Sequence, residues 1–202
     1  MTEAKKPILL VAACALVDTD NRILPAQRPE GKSLAGLWEF PGGKVEAGET
    51  PEETLVRELE EELGIQTKVA CLAPLTFASH TYETFHLLMP LYICRRYEGI
   101  PQGREGQAIK WVKAKALRDY PMPPADRPVV GVLTAPGRYL VTPEPLPAER
   151  AGFLARLERA LDAGIRRVQL RAREWPAATL PDLARDVAHR CRLRGAELLI
   201  NG

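Results

Sequence analysis

Residues 43–65 read Gly-Lys-Val-Glu-Ala-Gly-Glu-Thr-Pro-Glu-Glu-Thr-Leu-Val-Arg-Glu-Leu-Glu-Glu-Glu-Leu-Gly-Ile, and their carboxylates recur at a spacing that can do chemistry. A helix turns about 100° per residue, so Glu58, Glu61 and Glu62 share one face. Leu55, Val56, Leu59 and Leu63 fall on a different face and can enter a core. Three carboxylates packed together repel one another, which costs stability unless cations sit among them. Hard oxygen donors held this way suit Mg2+ or Mn2+. Mg2+ takes one or two protein carboxylates and completes its shell with water and substrate phosphates. The face therefore implies a metal-bridged phosphate ester or anhydride. Arg57 is the i, i+4 partner of Glu61 and can hold that carboxylate in place. Gly42 and Gly43 let the backbone approach a metal or a phosphate closely. Read alone, residues 58–62 are an ordinary solvated acidic run. The glycine at 43, the spaced Glu49, Arg57 and the terminal Gly64-Ile65 argue for the metal.

The elements that must position these residues are partly local in origin. The strongest is a helix over 51–63, with Thr50 as N-cap, Pro51 at the first helical position, Glu53 closing a capping box and Gly64 as the stop. Residues 8–17 and 22–28 predict two strands joined by Asp18-Thr19-Asp20-Asn21 as a hairpin, with Pro25 interrupting the second. Residues 30–37 read as a loop, and 38–40 as a short strand stopped by Pro41-Gly42-Gly43. Residues 69–78 and 85–94 suit strands, 97–107 a glycine-containing loop and 108–112 another strand. A short helix is predicted near 127–133. The sum to this point is α+β.

The segment 43–65 resembles the Nudix box, G-x5-E-x7-R-E-U-x-E-E-x-G-U with U aliphatic, and every fixed position matches. Leu37-Trp38-Glu39-Phe40-Pro41-Gly42-Gly43-Lys44 further resembles the MutT branch, the oxidised-guanine nucleotide pyrophosphatases. The resemblance covers residues 7 to about 133. It implies a Nudix fold, a mixed β-sheet sandwiched between helices. It also implies Mg2+, with Mn2+ as a substitute, held by Glu58, Glu61 and Glu62 and by a backbone carbonyl at Gly42 or Gly43. The loop Gly103-Arg104-Glu105-Gly106-Gln107 resembles the family's late acidic loop, so Glu105 is a further metal ligand or the general base. Glu58 is the other candidate base, and the catalytic set is Glu58, Glu105 and Arg57.

The implied reaction is in-line attack by an activated water on a phosphorus of a nucleoside triphosphate. In the MutT branch attack falls on the β-phosphorus, giving nucleoside monophosphate and pyrophosphate. The resemblance thus implies hydrolysis of 8-oxo-dGTP, a step of nucleotide-pool sanitation and mutation avoidance. By similarity Arg28 and Phe40 line the nucleotide pocket and Asp126 reads the purine edge. An ionised carboxylate only accepts hydrogen bonds, and guanine N1–H and N2–H are donors, so Asp126 is chemically suited to that edge. Two alternatives stand beside this. One is hydrolysis of another nucleotide, a different dNTP or ADP-ribose. The other is a non-catalytic nucleotide-sensing module, against which the intact Arg57-Glu58 and Glu61-Glu62 set argues.

Composition bounds the rest. The 202 residues are 27% charged and 46% hydrophobic, with a net charge of +2. That excludes a disordered chain, a collagen-like repeat and a multi-span membrane protein. The charge is too small to argue for nucleic-acid or membrane binding. Cys14, Cys71, Cys94 and Cys191 have no zinc-like spacing, and His80, His86 and His189 stand apart, so the cysteines read as reduced thiols of a cytoplasmic protein. Lys5 and Lys6 before an apolar run, with Ala13-Cys14-Ala15 behind it, have the outline of a leader. The run ends in a turn and reads instead as a buried first strand.

All eight lysines lie at or before Lys115, and residues 136–202 carry twelve arginines and no lysine. The shift predicts a domain over 1–135 and a separate segment over 136–202. That segment reads βαβαβ: a strand at 138–142, a helix at 148–163, a strand at 168–171, a helix at 181–194 and a strand at 197–200. Tyr139-Leu140-Val141-Thr142-Pro143, residues 168–173 and Leu198-Leu199-Ile200-Asn201 resemble the start of a thiamin-phosphate synthase barrel. Gln169 and Arg171 match substrate-binding positions there, while Arg173 stands where lysine is usual and Gly202 where aspartate is expected. A full barrel has eight strands and about 250 residues, so this partial barrel is not expected to make thiamin phosphate. Oligomeric state is not readable from the sequence.

Overall fold

The first apolar run becomes β1 (Ile8–Leu16) at the interior of a mixed sheet, in a computed structural model that describes residues 6–201. A strand buried on both faces needs a continuous apolar run, and β1 has one. Ala13, Ala15 and Val17 enter one core layer; Ala12, Cys14 and Leu16 enter the other. Lys5 of the leader-like stretch and Gly202 lie outside the described residues.

The predicted hairpin from β1 into 22–28 is cut to its turn: Val17 and Ile23 bridge, and the Asp18 and Leu24 N–H groups donate to the Arg22 and Leu16 carbonyls at 3.0 and 3.1 Å, but no longer ladder follows. Pro25 lacks an N–H and splits the second run into β2 (Arg22–Ile23) and β3 (Ala26–Gln27). The next strands are β4 (Trp38–Glu39) and β5 (Gly42–Lys44). The glycine pair was expected to stop a strand, yet it forms one. β5 runs antiparallel to β1, with Gly42 opposite Ala13 and Gly43 opposite Ala12. A Cβ on Gly42, which has φ 143°, would lie 2.2 Å from the Ala12 carbonyl oxygen. The strand exists because it lacks side chains there.

Helix α1 (Pro51–Leu63) follows with both predicted ends in place. The Glu53 N–H donates to Thr50 Oγ1 at 3.2 Å, and the Thr50 N–H donates to Glu53 Oε2 at 2.8 Å. Gly64 ends the helix in the left-handed region at φ 68°. Leu55, Leu59 and Leu63 are fully buried against β1, each contributing roughly 2 kcal/mol of apolar burial. This anchors the helix and turns its other face toward β5.

A single 3-10 turn precedes β6 (Leu72–Thr81), which starts later and runs further than 69–78. β6 pairs antiparallel with β7 (His86–Cys94), and β7 runs parallel to β1, giving the order β5-β1-β7-β6. The strand expected at 108–112 is two pieces, β8 (Ala108–Ile109) and β9 (Val112–Lys113). β8 joins β3 and β4, and β9 joins β2. Helix α2 (Arg127–Thr134) places Val129 and Val130 in the core layer opposite α1. The sheet thus lies between helices, as a Nudix fold requires.

By its contacts the chain divides into two compact units, Met1–Thr134 and Ala135–Gly202. The second is three parallel strands, β10 (Tyr139–Val141), β11 (Arg167–Arg171) and β12 (Glu197–Asn201), connected by α3 (Arg150–Asp162) and α4 (Leu180–Leu193). The order is β10-β11-β12, and the core joins Phe153, Leu157 and Leu161 to Val168, Leu170, Leu183 and Val187. Among the described residues no helix is long and apolar enough to cross a membrane.

Candidate active site

α1 delivers Glu58 to the surface of β5. Its carboxylate rests on the Gly43 backbone so closely that a Cβ on Gly43 would lie 2.1 Å from Glu58 Oε1. Arg57 fixes the same carboxylate, donating from Nη1 to Glu58 Oε1 at 2.7 Å. The guanidinium also holds Glu49 with two bonds, Nε to Oε1 at 2.8 Å and Nη2 to Oε2 at 3.0 Å. The bonds from Arg57, helped by the Thr54 hydroxyl, hold the Glu49 carboxyl down at about 2. The partners in turn raise the Arg57 guanidinium above its ordinary range. The spaced Glu49 is therefore a buttress for Arg57, and Arg57 a buttress for Glu58.

Glu62, one turn on, meets different surroundings. Burial, with the neighbouring carboxylates Glu58, Glu39 and Glu105 acting in the same direction, pushes its carboxyl up to about 7. The Gly42 N–H donates to Glu62 Oε2 at 3.2 Å and opposes the rise. Glu105 arrives on a loop tied to the end of α1. The Arg104 N–H donates to the Glu62 carbonyl at 2.9 Å. Gln107 clamps the loop from both sides: Nε2 donates to the Glu62 carbonyl at 2.9 Å, and Oε1 accepts from the Glu105 N–H at 2.7 Å. Lys32 Nζ sits 2.5 Å from Glu105 Oε2.

These groups surround a cavity of about 240 Å3, whose lining includes Arg28, Glu39, Gly42, Gly43, Glu58, Glu62 and Glu105. Arg28 donates from Nη1 to Glu39 Oε2 at 2.5 Å and from Nε to the Ser33 carbonyl at 2.6 Å. Burial raises the Glu39 carboxyl, and Arg28 opposes that.

Three sequence-predicted residues stand elsewhere. Glu61 is exposed, outside the cavity lining, and paired with Arg57 Nη1 at 3.1 Å. The i, i+4 pairing was expected, and the same Arg57 Nη1 that holds Glu58 at 2.7 Å holds Glu61 at 3.1 Å. Phe40 is buried in the core layer with Val129 and Leu91, so its side chain is packing and not pocket lining. Asp126 is buried behind the cavity, accepting from the Phe40 N–H at 3.3 Å. Burial pushes its carboxyl up to about 7, against the Phe40 N–H, which lowers it. Glu39, Lys32 and Gln107 are cavity residues that the sequence reading missed. Glu39 lies inside the run 37–44 and Gln107 inside the loop 103–107, so their positions carried a signal; Lys32 carried none.

Residues 12–131 match the NUDIX domain family. This chain belongs to the Nudix family. Residues 138–202 match the thiamine monophosphate synthase family. The chain is 42% identical over 132 residues to an 8-oxo-dGTP diphosphatase of Haemophilus influenzae, covering 62% of this chain and 90% of that one. It is 38% identical over 129 residues to a CTP pyrophosphohydrolase of Escherichia coli, covering 63% and 93%. A MutT NUDIX hydrolase structure from Burkholderia pseudomallei superposes with a TM-score of 0.56 at 29% identity, over 64% of this chain and all of that one. The protein is a Nudix hydrolase with MutT-like relatives.

Nudix hydrolases generally need divalent cations, and the donors here fit one. Glu58, Glu62 and Glu105 present only hard oxygens, and Glu62 is lifted by the other carboxylates, the repulsion that a cation would relieve. Among the described residues no group of three His, Cys, Asp or Glu is arranged to hold an ion unaided.

Proposed function

We propose that this Nudix hydrolase converts a nucleoside triphosphate to the monophosphate and pyrophosphate with Mg2+, and that its substrate is 8-oxo-dGTP. The observation that carries this is the cavity itself: Glu58, Glu62 and Glu105 face it beside a cationic Arg28. The 42% identity to the Haemophilus influenzae 8-oxo-dGTP diphosphatase supports the substrate. The metal ligands are Glu58, Glu62, Glu105 and a carbonyl of Gly42 or Gly43, with Glu61 beside them. Residues 1–135 form the hydrolase domain. Four free cysteines suit the cytoplasm.

When bound, the divalent cation lowers the pKa of water and neutralises charge on phosphate oxygens. The chain's own residues do the rest. Arg57 and Glu49 hold Glu58 against Gly43, so its carboxylate does not reorganise during reaction. Arg104 and Gln107 hold the Glu105 loop on α1. Glu58 and Glu105 are the two carboxylates able to take the attacking water's proton. Arg28, which lines the same cavity, offers positive charge to the nucleotide. Asp126, fixed by the Phe40 N–H and buried outside the cavity lining, accepts from the donor edge of guanine only when it is ionised and the base reaches it.

A second reading is favoured by one observation. Burial pushes the Asp126 carboxyl up to about 7, and a protonated carboxyl offers both a donor and an acceptor. Cytosine N4–H and N3 match that pair, and a CTP pyrophosphohydrolase is among the relatives. A hydrolysis screen over 8-oxo-dGTP, dGTP, CTP, dCTP and ADP-ribose, tracking pyrophosphate, decides between the readings. No turnover of any of them would exclude both.

A further inference from the structure

Lys32 is not accounted for by the reading above. It stands on residues 28–37, a loop whose base is closed by hydrogen bonds between Arg28 and residues Gly36 and Leu37. Arg28 braces the loop from inside, bonding Ser33 with Nε while holding Glu39 with Nη1. From this braced loop Lys32 reaches across 73 positions of sequence to Glu105. Both residues line the same cavity. Their side chains stay about half exposed, at 52% and 42%. An ion pair so open to water is weak and exchanges readily. Glu105 is also the only cavity carboxylate among Glu58, Glu62 and Glu105 whose partner is a lysine; Glu58 is paired with Arg57, and Glu62 accepts from a backbone N–H.

We propose that Lys32 is a resident counter-ion of Glu105, which yields the carboxylate to the divalent cation and then faces the phosphates of the nucleotide. This deepens the cavity reading and rests on it. An ammonium on a flexible stem suits the task, because it is a point charge that can turn from carboxylate to phosphate. Arg28, locked between Glu39 and Ser33, cannot make the same exchange.

The test uses the full chain and Mn2+ alone, with binding followed by electron paramagnetic resonance. Lys32→Met should bind Mn2+ roughly twofold to fivefold more tightly than wild type, the scale of an exposed ion pair. The same variant should raise KM for the nucleoside triphosphate more than it lowers kcat, and Lys32→Arg should restore both values toward wild type. Unchanged Mn2+ affinity in Lys32→Met, with Glu105→Gln weakening it, would overturn the counter-ion role. Mn2+ binding insensitive to both Glu62→Gln and Glu105→Gln would overturn the cavity reading itself, and the counter-ion with it.

Discussion

Replacing Gly43 by alanine separates the site from the fold. The added Cβ would lie 2.1 Å from Glu58 Oε1 and 2.7 Å from Oε2, while Gly43 itself has an ordinary backbone conformation. Real Cβ contacts are at least 3.0 Å, so the carboxylate must retreat by about 1 Å, a displacement on the scale that costs roughly 10²-fold in rate. The retreat also strains the 2.7 Å bond from Arg57. Stability should change little, because the atom that gives way is the end of a side chain. Gly42→Ala is the contrast: its Cβ meets the Ala12 carbonyl at 2.2 Å with φ at 143°, so that variant should unfold at much lower urea. Steady-state pyrophosphate release and urea denaturation on both variants make the assay. A Gly43→Ala enzyme within twofold of wild-type kcat would refute the role given to the Glu58 contact.

Glu62→Gln should cost far more turnover than Glu61→Gln, since Glu62 faces the cavity and Glu61 does not; kcat with Mg2+ measures both. Gln107→Leu should reduce kcat by about tenfold, the low end of what a misplaced carboxylate costs, and a larger loss in Glu105→Gln would be consistent. Thr50→Ala should lower stability by about 1 kcal/mol through loss of the cap, read by urea denaturation. Asp126 has its folded carboxyl raised to about 7 from the ordinary 3.8. The folded state then binds more protons than the unfolded one between those values, so stability falls as pH rises through that window. The loss reaches at most about 4 kcal/mol, and Asp126→Asn should flatten the stability profile between pH 4 and 8.

Helix α1 is legible in the sequence because its signals are local. Thr50, Pro51, Glu53 and Gly64 act within one turn of the ends they set, and Leu55, Leu59 and Leu63 announce the buried face. The roles of Arg57 and Glu58 follow from the same stretch. Strand β5 is not legible, because glycines read as terminators when their neighbour across the sheet is unknown. Ala12 is that neighbour, and it sits far away in sequence. The expected hairpin survives only as its turn for a related reason: β1 finds its long partners in β5 and β7, and no local rule ranks them above β2. Spacing alone groups Glu61 with Glu58 and Glu62; in the fold Glu58 and Glu62 line the cavity, Glu62 held by the Gly42 N–H, while Glu61 stays exposed beside Arg57. Lys32 acts on the Glu105 loop across the fold, and nothing in its own surroundings marks it; Gln107 sits in that loop, but its bond to the Glu62 carbonyl depends on where α1 ends in space. In residues 136–202 the alternation of strand and helix signals was sufficient, because parallel βα units are built from consecutive elements.

The central claim is that the carboxylate cavity hydrolyses a nucleoside triphosphate, with 8-oxo-dGTP preferred. The direct measurement is kcat/KM for 8-oxo-dGTP, dGTP and CTP with Mg2+, on wild type and Glu62→Gln side by side, with urea denaturation of each. The highest value is expected for 8-oxo-dGTP, with a loss of two or more orders of magnitude (about 3 kcal/mol) in a Glu62→Gln variant that remains folded. Equal rates in the two proteins, or no pyrophosphate from any triphosphate, would contradict it.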